Sequence, residues 1–226
     1  MNLMGQIFNT ILIQPLLNLL IFFYNVIPFH DLGLAIIILT IIIRLILSPF
    51  SRLGIKSQKK LQDLQPKLDE IKKKHAGDMQ KQSAAMMNLY RENKINPFSS
   101  CLLLLIQLPV LIAFFKVLNT GIASSGLNPI AFGFLNLARV NIFLAGITAY
   151  FQYLQMKSLP TKKPEPVFVE KDGAKDENMA TRMNKQMTIM MPFMTLLIGV
   201  TLPSGLMIYW LISTIFSILE QKLFIK

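Results

Sequence analysis

The chain has 226 residues, of which 53% are hydrophobic and 15% charged, with 23 Lys and Arg against 12 Asp and Glu. Soluble domains carry about 25% charged residues, so intrinsic disorder is excluded and a wholly soluble protein is not expected. A net charge of +11 suits a nucleic-acid binder, but no base precedes Arg44, eleven fall in 51–95 and seven in 157–185, between apolar runs. That distribution is the positive-inside pattern of a membrane protein, and no specific nucleic-acid partner is expected.

Residues 1–32 are expected outside the cytoplasm, with a helix over 5–27. Gln6, Thr10, Gln14, Asn18 and Asn25 recur mostly every fourth residue and make one polar stripe among Ile, Leu and Phe. The stripe suits a helix lying in the outer interface. The length also suits a sixth span, and the basic face usual in interfacial helices is absent. There is no basic n-region, no small-residue cleavage site and no Cys for a lipid anchor, so no signal peptide is expected.

Five transmembrane helices follow, at 33–50, 97–118, 140–156, 187–202 and 205–219, an all-α polytopic architecture. Several are short for a hydrocarbon core of ~30 Å and call for local thinning or snorkelling flanks. The basic segments 51–96 and 157–186 are then cytoplasmic, as is the tail 220–226, and 119–139 is an outer loop. Lys116 and Arg139 flank that loop against the rule, and both can snorkel.

Segment 51–96 should form a helical hairpin. Leu61, Leu64, Leu68 and Ile71 make one helical stripe, and Met79, Ser83, Met86, Met87 and Tyr90 a second. Gly77 is the expected helix stop and Asp78 the N-cap of the second helix. Pro66 should kink or restart the first. Segment 157–186, with Pro160, Pro164 and Pro166, is expected to be a flexible loop, its last residues helical from Asn178. Leu202-Pro203-Ser204-Gly205 is a tight turn that pairs the last two spans.

Arg44 is the sharpest chemical feature. It lies inside an apolar run, ~7–8 Å short of Pro49, either snorkelling to the span end or facing a water-filled cavity. No Asp or Glu lies within the five runs, and Glu220 comes just after the last. Arg44 therefore meets water or polar neighbours such as Gln107, Gln152, Ser213 and Thr214. The two glutamines also suit plain interhelical hydrogen bonds. Tyr209 and Trp210 suit an outer aromatic belt as well as an interior position. Met187, Met190, Met191 and Met194 share a helix face with Met183, suited to packing or to an adaptable surface for apolar clients. One Cys and two separated His offer no disulfide and no metal site. No phosphate loop, paired catalytic carboxylates or Ser/His/Asp set is present, so neither enzyme chemistry nor a cofactor is expected.

Several motifs, in order, resemble the YidC-type membrane protein insertases: Gln14-Pro15, GLAIIILTIIIRLILSPF, LQPKLDEIKKK, MMNLYRENKINPF, NPFSSCLLLLIQLPVLIAFFKVL, MPFMT and LPSGLMIYW. The resemblance runs from about Gln14 to Phe224. It implies five spans around a hydrophilic groove, open to cytoplasm and lipid and closed outside. Arg44 matches the family's groove arginine, and Gln152 and Trp210 match polar groove positions. The hairpin matches the one implicated in receiving clients. Implied partners are newly made membrane proteins and lipid, with the ribosome and the Sec translocon. The large extracytoplasmic domain of many Gram-negative members and the lipoprotein signal of many Gram-positive ones are not expected here. With a tail this short, ribosome docking, if it occurs, is expected at the hairpin or the second loop. A channel or transporter subunit is the rival reading, though no intramembrane acid or His relay supports proton coupling. A structural assembly factor is the third.

Overall fold

The computed structural model describes residues 3–75, 77–96, 99–124, 126–158, 169–171, 174–176 and 179–224. Helix α1 runs through Leu3–Phe8, a wider π-helical turn at Asn9–Ile13, and Gln14–Val26. Its polar stripe is exposed, while Ile13, Leu16 and Leu20 are buried. A single 3-10 turn, Pro28–His30, leads to α2, Leu32–Asp63. Asp31 starts α2 by accepting a hydrogen bond at Oδ1 from the Leu34 amide, 3.0 Å, as an N-cap does.

Helix α2 passes through Pro49 without ending, so the first basic residues expected in the hairpin prolong the first apolar helix. A proline deletes one backbone bond, which flanking turns and neighbouring helices can absorb. The break comes instead at Leu64, and α3, Gln65–Lys74, restarts with Pro66 in its first turn, where a missing N–H costs nothing. Gly77 follows at φ 93°. Asp78 then caps α4, Met79–Glu92, by accepting from the Lys81 amide at 3.0 Å. Leu64, Leu68, Leu89 and Ile95 form a small core of their own, joined by Leu61, Ile71, Met86 and Tyr90.

Helix α5 is Ser99–Ser124, with Pro109 inside it. Two short strands, β1 (Ile130–Ala131) and β2 (Leu135–Asn136), pair antiparallel after it. Strands of two residues carry no periodic signal, so this hairpin was not expected. Helix α6 is Ile142–Ser158, α7 is Met179–Gly199 and α8 is Ser204–Phe224. Between α6 and α7, β3 (Val169–Lys171) pairs antiparallel with β4 (Ala174–Asp176). Of the loop expected at 157–186, residues 159–168, 172–173 and 177–178 lie outside the described residues.

Among the described residues, three helical stretches are long and apolar enough to cross a membrane: Gly5–Val26, Leu32–Leu61 and Ser204–Phe224. Gln107–Asn119 and Thr188–Gly199 are shorter apolar helical stretches. In space the order is α5, α2, α8, α6, α7, with α8 central and α1 laid against α2 and α5. Helices α5 and α7 sit at opposite ends of this arc and do not pack extensively on each other. The main core joins α1, α2, α5 and α8 through Leu20, Ile36, Leu39, Phe114, Val117, Leu206 and Tyr209.

One end of the bundle is tied together by loops. The Ser204 hydroxyl and amide both donate to the Arg139 carbonyl, at 2.6 and 2.8 Å, and the Gly205 amide donates to Leu137. The Phe132 amide donates to Asp31 Oδ2, and the Asn128 amide to the Tyr24 hydroxyl. Gly33 is required here: a Cβ on it would lie 2.7 Å from Ala131 Cβ and from the Phe132 ring.

Candidate functional site: a polar interior between the helices

Polar residues at helical spacing line the buried face of α2: Thr40, Arg44, Ser48 and Ser51. Opposite them, α8 buries Tyr209, Ser213, Thr214, Ser217, Glu220 and Gln221. The two helices run parallel. At one end Gly205 lies beside Ile36, and at the other the Arg52 guanidinium sits 4.2 Å from the Phe224 ring centroid. Interior hydroxyls on α6 and α7, Thr148 and Thr195, add to the lining.

Many of these hydroxyls satisfy themselves within their own helix. Thr40 donates to Ile36, Thr148 to Leu144, Thr195 to Met191, Thr214 to Trp210 and Ser217 to Ser213, each four residues back, at 2.6–3.0 Å. Such back-bonding lets a hydroxyl sit in a bundle without a partner across it.

Arg44 is only 7% exposed, and its Nε has no hydrogen-bond partner. Among the described residues no carboxylate lies within ion-pair distance of it. The charged or ionisable groups that act on it electrostatically are Tyr209 and Glu220, both on α8.

Gln107 on α5 donates through Nε2 to the Tyr209 hydroxyl. Gln152 Oε1 on α6 lies 3.4 Å from the Thr214 hydroxyl, a weaker contact than the bond that hydroxyl donates to Trp210. The two amides therefore reach α8 from different sides, one turn and more apart. Trp210 is partly buried. Tyr209 is 2% exposed and stacks on Phe114, so an interfacial belt position does not fit it. Met190, Met191 and Met194 are exposed on α7 together with Ile189, Phe193 and Leu197, away from the polar interior. The Met187 side chain lies outside the described residues. Among the described residues no cluster of His, Cys, Asp or Glu could hold a metal.

The interior also takes in groups that the sequence does not single out: the hydroxyls of Thr40, Ser51, Thr148 and Thr195, and above all Glu220. The spacing of Thr40, Arg44, Ser48 and Ser51 was the available signal. Glu220 follows the last apolar run in sequence, yet α8 continues past it and buries it to 4% exposure.

Apolar helices around a buried polar face define a multi-pass helical membrane protein. Residues 22–226 match the family described as the 60Kd inner membrane protein. The chain belongs to that family and is a multi-pass protein of the inner membrane. A relative from Fusobacterium nucleatum, a membrane protein insertase YidC, is 35% identical over 198 residues, 87% of each chain. Another from Wolinella succinogenes, of the same name, is 33% identical over 97% of this chain but only 38% of its own length. A crystal structure of an active YidC insertase with the first transmembrane domain resolved is similar in fold. Its TM-score is 0.66 at 26% identity, over 94% of this chain and 45% of that one. These relatives are insertases, a role that makes and breaks no covalent bond in a substrate.

Proposed function

We propose that the polar interior between α2, α8, α5 and α6 is a groove through which this member of the insertase family passes polar segments of newly made membrane proteins. Helices α2 and α5 to α8 are its five spans, and α1 lies in the outer interface with its polar stripe to water. The loops around Gly33, Phe132 and Ser204 close the outer end. The basic hairpin α3–α4, the loop 157–186 and the C-terminus face the cytoplasm. The hairpin receives clients and offers the basic surface that a ribosome or the Sec translocon would meet.

Moving a short polar segment through hydrocarbon costs several kcal/mol per charge. A wet groove reaching part-way shortens the dry path. Arg44 attracts an acidic client segment by ~4 kcal/mol at 4 Å and an effective dielectric of 20. Gln107, Gln152, Ser213, Thr214 and Trp210 supply polar contacts along the way. The client's apolar helix then leaves between α5 and α7 into lipid, past the exposed apolar face of α7 with Met190, Met191 and Met194. Burial of that helix in lipid drives release without a nucleotide.

The observation that carries this reading is a buried Arg44 whose Nε has no partner, on a buried polar face where Thr40 bonds within its own helix and Ser51 Oγ has no partner either. Purified protein in proteoliposomes tests it. Arg44→Ala is expected to lower insertion of clients with acidic translocated segments about tenfold, a loss of ~1.4 kcal/mol, with Arg44→Lys partly active. Full activity of Arg44→Ala on such clients would exclude the groove charge. Solute flux in the absence of client would favour a channel.

A further inference from the structure

Glu220 has no part in the scheme above, yet it is the most deeply buried acid among the described residues, at 4% exposure. Carboxylates are almost never buried so far unless paired. Its Oε1 has no hydrogen-bond partner, and neither has Ser51 Oγ or Arg44 Nε on the opposing face of α2. With Ile36 beside Gly205 and Arg52 over Phe224, the parallel register sets Glu220 about level with Ser48–Ser51. That is roughly 8 Å along the axis from Arg44, on the Phe224 side. No ion pair joins the two among the described residues, and Glu220 is near enough for its charge to act on Arg44. The bases at that end are engaged or turned outward: Arg52 covers the Phe224 ring, and Lys222 and Lys157, the latter beside the Ser158 that bonds Gln221, are exposed. A buried charge needs an opposite charge in its surroundings, and for Glu220 that charge is Arg44.

We propose that Glu220 is the resident counter-charge of Arg44 and sets the groove's selectivity for the charge of the transported segment. The inference rests on the reading that Arg44 draws acidic segments into the groove. An entering carboxylate has to compete with one already tethered a turn and a half away on α8. A neutral polar segment meets no such competitor. Glu220 thereby limits how strongly the groove holds an acidic segment, so that Arg44 attracts without trapping.

The test uses the full chain in proteoliposomes and two clients sharing one apolar helix, one with two Asp in its translocated segment and one with two Asn. The quantity read is the ratio of initial insertion rates, acidic over neutral. Glu220→Gln is expected to raise that ratio roughly threefold to tenfold, a range reasonable for a screened charge at this separation. In an Arg44→Gln background the same substitution is expected to leave the ratio where Arg44→Gln alone puts it. An unchanged ratio for Glu220→Gln overturns the proposal, and so does an equal rise in both backgrounds. If Arg44→Gln alone keeps the wild-type ratio, the groove-charge reading itself fails. Should Glu220→Gln not fold, Ser51→Asp brings another carboxylate to the same level. It is expected to lower the ratio, and no change there overturns the proposal as well.

Discussion

The Gln107 side-chain amide donates to the hydroxyl of Tyr209, and the Tyr209 ring stacks on Phe114 with centroids 4.4 Å apart. One residue of α8 thus holds α5 by a polar and an apolar contact at once, beside the face that carries Arg44. Tyr209→Phe keeps the stack and the volume and removes only the hydroxyl. It is expected to cost about 1 kcal/mol, the usual scale of an interhelical hydrogen bond in a membrane protein. Adding Gln107→Leu should recover part of that loss, because the stranded amide then disappears. Unfolding of the four proteins of this cycle in detergent measures the coupling. Simple additivity would mean that the pair contributes nothing.

Gly33 makes the second prediction. A Cβ there would meet Ala131 Cβ at 2.7 Å, an atom fixed to its backbone, as well as the movable Phe132 ring. Gly33→Ala should therefore push the β1–β2 turn off the start of α2 and cost about 1–3 kcal/mol, as overpacking does. Gly146 on α6 has nothing within 4 Å of its Cβ position. Gly146→Ala should be neutral or stabilising by up to about 1 kcal/mol, from helix propensity alone. Thermal unfolding of both variants separates the cases, and equal effects would remove the close contact from consideration.

What was legible in the sequence followed the strength of the local signal. Long runs of Ile and Leu, the isolated Arg44, and the Gly77-Asp78 turn have their cause within a few residues of themselves. The helix starts at Gln65 and Met79 could accordingly be read from Pro66 and Asp78. The pass of α2 through Pro49 could not, because tolerance of a proline depends on helices packed far away in sequence. The burial of Glu220, and the choice between belt and interior for Tyr209, could not be read for the same reason: whether a polar residue at the end of an apolar run is inside or outside depends on which helix faces it. The register of α2 against α8, set by Ile36 with Gly205 and Arg52 with Phe224, is a long-range fact with no local trace. The polar column Thr40, Arg44, Ser48 and Ser51 was in plain view as a spacing. Only the partner helix turns it into one side of a site.

The hairpin α3–α4 has a core separate from that of the bundle, with Leu68 3% exposed between Leu64 and Leu89. Leu68→Ala is therefore expected to loosen the hairpin by about 2–3 kcal/mol, toward the lower end for buried leucines because the cluster is small. The bundle, which shares none of these residues, should keep its stability. Limited proteolysis is expected to cut the variant faster between 64 and 95. The detergent unfolding midpoint of the remainder should stay within a degree or so of wild type. A matched drop in that midpoint would show that hairpin and bundle unfold as one unit.

Asp78 makes the hairpin sensitive to acid. Its carboxylate accepts the Lys81 backbone amide at 3.0 Å and lies 3.0 Å from Lys81 Nζ. These contacts, led by the backbone hydrogen bond, hold its carboxyl below the ordinary value of 3.8. A depressed carboxyl favours the folded cap wherever the unfolded chain is also ionised. The contribution is therefore complete above about pH 4 and fades as pH falls through the lower folded value. Amide hydrogen exchange at residues 79–82, measured on the full chain across that range, should accelerate in wild type beyond the intrinsic rate change. In Asp78→Asn the side-chain oxygen still caps the helix but does not titrate, so protection should be lower at neutral pH and level through the acid range. In Asp78→Ala protection should be low at every pH. A wild-type profile parallel to that of Asp78→Asn would show that the carboxylate charge plays no part in starting α4.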